Sequence, residues 1–276
     1  MIVDSHHHFW NPAQRLYPWM GPELNAIRRP FGPDDLAPIA ANAGVNPTVL
    51  VQTVSSIGET VEFLAIAARH RLVAGVVGWV DLTDAEVATT IVGLRSADGG
   101  DKLVGVRHQV HDEADPDWLR RDDVQRGLAA VEEAGLAYDL LVRTRELPAA
   151  HDAARGHPDL RFVIDHAAKP RIADGPRDTE WEHAIAPMAA LPNVRCKLSG
   201  LVTEAGWETW TQEQLEPYIT RVLDWFGPER CMFGSDWPVC LLAASYSEVL
   251  DTIRKVAGAD EDVFARTAMR VYGLTS

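Results

Sequence analysis

Cysteine is scarce: Cys196, Cys231 and Cys240 are odd in number and have no C-x-x-C spacing. Neither a disulfide framework nor a cysteine zinc site is expected, and the thiols read as free and buried. Basic residues are also in deficit, with 26 Lys and Arg against 40 Asp and Glu, a formal net charge of −14. Nucleic-acid affinity comes mostly from clustered Lys and Arg, so neither nucleic acid nor an anionic membrane is an expected partner. No apolar run reaches the roughly 18 residues that span a bilayer. The N-terminus lacks the basic-then-apolar layout of a secretion signal, and a soluble, cytoplasmic protein is the expectation. There is no long polar tract, no linker, and no repeat of the period that marks solenoids or propellers.

What the chain does have is an alternation of short apolar, β-branched runs with longer helical patterns, which points to a parallel α/β sheet. The runs are "MIVDSH" at the start, "TVLVQT" from Thr48, "VAGVVGWV" from Val73, "LVGVRHQV" from Leu103, "LAYDLLV" from Leu136, "LRFVID" from Leu160, "NVRCKLSG" from Asn193 and "RCMFGSD" from Arg230. Between them apolar residues recur at three- and four-residue spacing, as in Val61, Leu64, Ala65 and Ala68, or Val124, Leu128 and Val131. Those residues are expected on the inward faces of helices. Thr83 with Glu86, Thr211 with Gln214, and Ser245 with Glu248 stand at the spacing that caps a first helical turn. Strands and helices in this rhythm over about 250 residues predict a (β/α)8 TIM barrel, here a single domain over 1–276. A doubly wound open sheet would put a glycine-rich phosphate loop after its first strand, where this chain has "SHHHFW".

Barrels of this kind build their sites where strands run into the following loops. Those places are polar here: His6 and His8, Gln52, Arg107 and His108, His166 with Lys169 beyond it, and Asp236. Side chains alternate along a strand, so Asp4, His6 and His8 are expected on one face and His7 on the other. Two imidazoles so spaced can converge on a divalent metal, or act as two donors to one substrate oxygen. A tag remnant would carry about six histidines and a linker, whereas this triplet ends a strand-like run. Taken singly, His166 reads as a core histidine, Asp236 in "SDWP" as a turn residue, and Arg107 as an ion-pair partner. Their joint placement at strand ends makes them a functional cluster.

The set "DSHHHFW", "GVRH", "DHAAKP", "CKLSGL" and "MFGSDWPV" resembles the amidohydrolase superfamily. Within it the resemblance is to the group of sugar-lactone hydrolases, of the fucono- and rhamnono-lactonase type, and 2-pyrone-4,6-dicarboxylate hydrolase. It runs from the first strand to the eighth. H-x-H with a late aspartate is shared across the superfamily, while "DHAAKP" with "GSDWP" is narrower. The resemblance implies a (β/α)8 barrel, hydrolysis of a cyclic ester, and Asp236 as the catalytic aspartate after the last strand, with His6 and His8 as the first-strand pair and His166 as the later histidine. Metal-binding members commonly add a lysine or glutamate after strand four or a histidine after strand five. Here those places hold Arg107 and "YDLLVRTRE". The implied cofactor is therefore none, or one divalent ion, zinc first, on His6, His8 and Asp236.

Opening a lactone requires water to be deprotonated, a carbonyl polarised, and a ring alkoxide protonated. Asp236 is expected to act as base and then acid, His166 to orient the water or bind the metal, and Arg107 to stabilise the oxyanion with help from His6, His8 and Lys169. Gln52, His108, Lys169, Trp10 and Trp237 are expected to bind substrate; Trp79 and Trp207 also stand near strand ends, where an indole can flank a sugar ring. The expected substrate is a small-molecule aldonolactone. A dicarboxylated pyrone or muconolactone, and metal-dependent decarboxylation of an aromatic acid, are the alternatives. A monomer and a homodimer are both open.

Overall fold

The computed structural model describes residues 1–275. Its strands are β1 (Ile2–His7), β2 (Val45–Val51), β3 (Val73–Gly78), β4 (Leu103–His108), β5 (Ala137–Leu140), β6 (Arg161–Ile164), β7 (Val194–Leu198) and β8 (Cys231–Phe233). They pair in chain order and in parallel. Each of the apolar runs read from the sequence forms a strand, because residues buried on both faces of a parallel sheet must be apolar throughout. Beyond β8 the chain returns to β1: Asp236 N donates to the His6 carbonyl at 2.8 Å and His8 N to the Trp237 carbonyl at 2.7 Å. Those bonds close the sheet into a (β/α)8 barrel.

The helices are α1 (Pro33–Ala43), α2 (Ile57–Arg69), α3 (Val87–Arg95), α4 (Asp122–Glu133), α5 (Leu147–Gly156), α6 (Thr179–Ala189), α7 (Gln212–Phe226), α8 (Tyr246–Ala257) and α9 (Thr267–Tyr272). Val124, Leu128 and Val131 of α4 are buried as expected. The inward face of α2 is instead Thr60, Phe63, Leu64 and Ala67, and Val61 is 43% exposed. Burying the bulkier Phe63 and the loop-holding Glu59 turns the helix away from the expected face. Thr211 with Gln214 and Ser245 with Glu248 form capping boxes on α7 and α8. Thr83 does not cap α3; its hydroxyl donates to Asp81 at 2.7 Å and the helix starts at Val87. A nearer acceptor captures the threonine. Among the described residues no helix is long and apolar enough to cross a membrane.

Inside the barrel the lower half is apolar. Val3, Val49, Val51, Val77, Ala137, Val163 and Met232 pack together and are covered from below by Val271, Tyr272 and Leu274 of the C-terminal segment. Val3 thus points inward, and Asp4 does not share a face with His6 and His8 as strand alternation predicts. The register of β1 against β2 shifts on both sides of Asp4, which turns its carboxylate to the closing seam. There it accepts from Ser235 N at 2.9 Å, Ser235 Oγ at 2.6 Å and Tyr246 Oη at 3.0 Å. Burial pushes the Asp4 carboxyl up, so these donors stabilise a charge that has no cation beside it. Removing one donor, by Tyr246→Phe, should cost about 1–3 kcal/mol of unfolding free energy in a urea titration.

Candidate active site

The upper half of the barrel interior is charged. Lys197 on β7 is fully buried, and its Nζ lies 2.5 Å from Asp139 Oδ2 on β5 and 3.0 Å from Asp165 Oδ1 after β6. Arg107 Nη1 on β4 holds the other Asp165 oxygen at 2.9 Å, and the Tyr272 hydroxyl lies 2.9 Å from each oxygen of Asp139. Two cations therefore face two carboxylates. Burial raises the Asp139 carboxyl to about 6 despite Lys197. At Asp165 burial acts the same way, but Lys197, His6 and Arg107 override it and hold the carboxyl well below its usual range. Lys197, Asp139 and Asp165 were missed by the sequence reading, in which they are single letters inside strand-like runs. The available signal was an ionisable residue at an inward position of a buried strand.

On this layer stands His6, with Nδ1 3.2 Å from Asp165 Oδ1 and 3.1 Å from Lys197 Nζ. The His8 Nδ1–H donates to the Val51 carbonyl at 2.7 Å, which turns its Nε2 inward. That atom is 3.1 Å from His6 Nε2 and 3.3 Å from Asp236 Oδ1. The His166 Nδ1 bonds Ser199 Oγ at 2.9 Å, and its Nε2 is 4.0 Å from Asp236 Oδ1. Burial keeps His6 and His166 well below the ordinary imidazole value, so both are neutral at pH 7. Burial also works to raise the Asp236 carboxyl, but His166, His8 and Lys169 more than offset it and leave it below the ordinary value. Asp236 is ionised at neutral pH. His7 points away, to Thr48 Oγ1 at 2.9 Å and to the Phe9 ring.

The backbone holding these groups is strained. His166, Ala167, Ala168 and Lys169 have φ of 53°, 49°, 59° and 52°, and Asp236 has 56°. A left-handed conformation at a non-glycine residue costs on the order of 1 kcal/mol or more. The turn is fixed by the Trp181 indole N–H, which donates to the Ala167 carbonyl at 2.6 Å. Gly200 then lets the chain pass beside His166, since a Cβ there would lie 2.5 Å from His166 Nδ1.

A cavity of about 350 Å³ opens above, lined by His8, Arg107, His166, Lys169 and Asp236 among the residues singled out from sequence. His6 lies fully buried against their ring atoms. Gln52, His108, Trp10 and Trp237 stand outside the lining. Gln52 and Arg107 bind each other. His108 stacks on Trp118 with ring centroids 4.3 Å apart and hydrogen-bonds Trp79 and Glu113. The Trp10 indole donates to the Ile27 carbonyl, and Trp237 is buried between Phe9 and Phe31. In their place the lining includes Trp19, Trp207, Thr203, Glu204, Arg143 and His111. Of these, Trp207 alone was marked from sequence; the others lie in loops whose approach to the barrel axis no local pattern reveals.

Ligand atoms of His6, His166 and Asp236 all fall within 4.8 Å of one another, with His8 Nε2 beside two of them. Imidazoles with one carboxylate are the donor set of a zinc site, and the His8 bond to a main-chain carbonyl orients its ring with Nε2 facing the others. The residues therefore fit one divalent ion. Arg107 and Asp139 nearby are already engaged by Asp165 and Lys197.

Fold and site together define a TIM-barrel hydrolase. More narrowly, the chain belongs to the amidohydrolase family, whose profile matches residues 3–274. It is 44% identical over 246 residues to an L-fucono-1,5-lactonase of Burkholderia ambifaria, covering 89% of this chain and 83% of that one. It is 39% identical to the L-fucono-1,5-lactonase of Burkholderia multivorans, covering 99% and 96%. A crystal structure of an amidohydrolase from Burkholderia multivorans with bound zinc superimposes with a TM-score of 0.94 over 100% of both chains, at 38% identity.

The buried layer makes Lys197 sensitive to substitution. Lys197→Met leaves Asp139 and Asp165 short of one cation and should cost about 3–5 kcal/mol of unfolding free energy by denaturant titration.

Proposed function

We propose that this protein hydrolyses a sugar-acid lactone, an uncharged ring ester, with Asp236 as general base and then general acid. The observation that carries the reading is the Asp236 carboxylate held within 4.0 Å of His6, His8 and His166 on the lining of a cavity of about 350 Å³. The two relatives named as L-fucono-1,5-lactonases support the substrate class.

In this mechanism Asp236 takes a proton from a water resting between it and His166. The hydroxide adds to the lactone carbonyl, and the protonated Asp236 returns the proton to the ring oxygen as the acyl bond breaks. Neutral His166, steadied by Ser199, orients the water. Arg107 has a buried Nε–H with no hydrogen-bond partner among the described residues, a donor for the developing oxyanion together with Lys169. A divalent ion on His6, His8, His166 and Asp236 would act as a Lewis acid on the carbonyl; zinc suits these ligands.

Charge separates the alternatives. The cavity lining holds Arg107, Arg143 and Lys169 against Asp112, Glu204 and Asp236. Arg107 is paired with Asp165, and both Lys169 and Arg143 with Glu204. A dicarboxylated pyrone needs free cations, which this balance does not offer, and an uncharged polyol does not.

Asp236→Asn should lower kcat by about 10²-fold or more while leaving the circular dichroism spectrum unchanged; a variant with near-normal turnover refutes the assignment. Because the Asp236 carboxyl sits below its ordinary value, its base form persists as pH falls. The acid limb of kcat/KM should therefore lie below about pH 4, with no inflection near 6.5 from His6 or His166. Elemental analysis of the purified protein should find zinc, lost on dialysis against a chelator and reduced in a His6→Ala variant.

A further inference from the structure

Glu204 ends the short Val202–Glu204 turn after β7 and stands on the cavity wall beside Thr203 and Trp207. One of its oxygens accepts from Lys169 Nζ at 2.9 Å, and the other lies 3.6 Å from Arg143 Nη1. The fold does not require this pairing. The Lys169 backbone is set by the left-handed turn and its N–H bond to the His166 carbonyl, and the Arg143 side chain is 51% exposed. A single carboxylate therefore engages both cations, one oxygen to each.

We propose that Glu204 sets the charge class of the substrate and drives release of the product. The inference rests on the lactone-hydrolase reading and deepens it. Lys169 and Arg143 stand against Glu204 and Asp236 on the cavity lining, so with Glu204 in place these groups carry no net positive charge, and an uncharged polyhydroxylated lactone is accepted while a ring bearing a carboxylate is not. Hydrolysis then reverses the relation between cavity and occupant. Water adds across the acyl C–O bond, hydroxyl to the acyl carbon and hydrogen to the ring oxygen, and the new acid loses its proton to solvent. A neutral ligand has become an anion. Free Lys169 and Arg143 would retain that anion, and Glu204 leaves no cation free to do so while Asp236 repels it.

The test is Glu204→Gln, which keeps the shape and an acceptor for Lys169 but removes the charge. Wild type and E204Q are assayed on an aldonolactone and on an aldarolactone, which carries one extra carboxylate on a comparable ring. Binding of the open-chain aldarate dianion is followed by calorimetry. The preference for the uncharged lactone in kcat/KM should fall at least ~10-fold in E204Q, mainly through a lower KM for the aldarolactone, and added salt should shrink the change. Aldonate product inhibition should tighten by a similar factor. Equal effects on both lactones with unchanged aldarate affinity overturn the proposal. A double variant, E204Q with Lys169→Met, restores the wild-type charge and should return aldarate affinity to the wild-type value; persistent tight binding overturns the pairing. If wild type opens neither lactone, the lactone reading fails, yet the aldarate comparison still decides the role of Glu204: tighter binding in E204Q supports it and equal binding refutes it.

Discussion

The arrangement depends on one constraint: charge buried inside the barrel must be matched there. Asp139, Asp165, Lys197 and Arg107 occupy inward positions on neighbouring strands with almost no exposure, and an unmatched charge at that depth costs several kcal/mol. Two acids and two bases cancel, and their bonds cross from β4 to β7, so strand register is tied to electrostatic neutrality. His6 rests on this layer through Asp165 and Lys197, and Tyr272 seals it from below. The position of the uppermost histidines thus follows from charges lying beneath them.

The strands were legible in the sequence because a parallel sheet buried on both faces writes itself as uninterrupted Val, Ile and Leu. His6, His8, His166 and Asp236 were legible because polar residues that end such runs have few structural uses. Lys197, Asp139 and Asp165 were not, since each becomes meaningful only when closure brings three strands to one level. Asp4 departed from simple alternation because a local register shift spends its carboxylate on the seam. The indoles divided in the same way. Trp10 and Trp237 lie next to strand ends in sequence but pack into the wall, while Trp19 reaches the cavity from the long loop after β1, far from any strand end.

The left-handed turn from His166 to Lys169 shows how the fold sets side chains that standard geometry would misdirect. Four successive positive φ values curl the chain back so that His166 and Lys169 both line the cavity. The strain is held by a buried indole bond at Ala167 and by the missing side chain at Gly200. The "DHAAKP" and "CKLSG" segments therefore act as one unit: the small alanines permit the turn, Ser199 orients the histidine, and the glycine makes room for it.

Two layers of charge serve opposite ends. The lower layer is almost wholly buried, with Arg107 alone of its four charges reaching the cavity lining, and it fixes geometry once on folding. The upper layer lies at the cavity wall, where Lys169 and Glu204 are partly exposed, and water or substrate hydroxyls can take the place of one partner at modest cost. An uncharged ester entering such a wall meets donors and acceptors without having to displace a tightly bound counter-charge. Once the ester has become a carboxylate, it shares the cavity with the Asp236 carboxylate, and the cations of the lining are already engaged by Asp165 and Glu204.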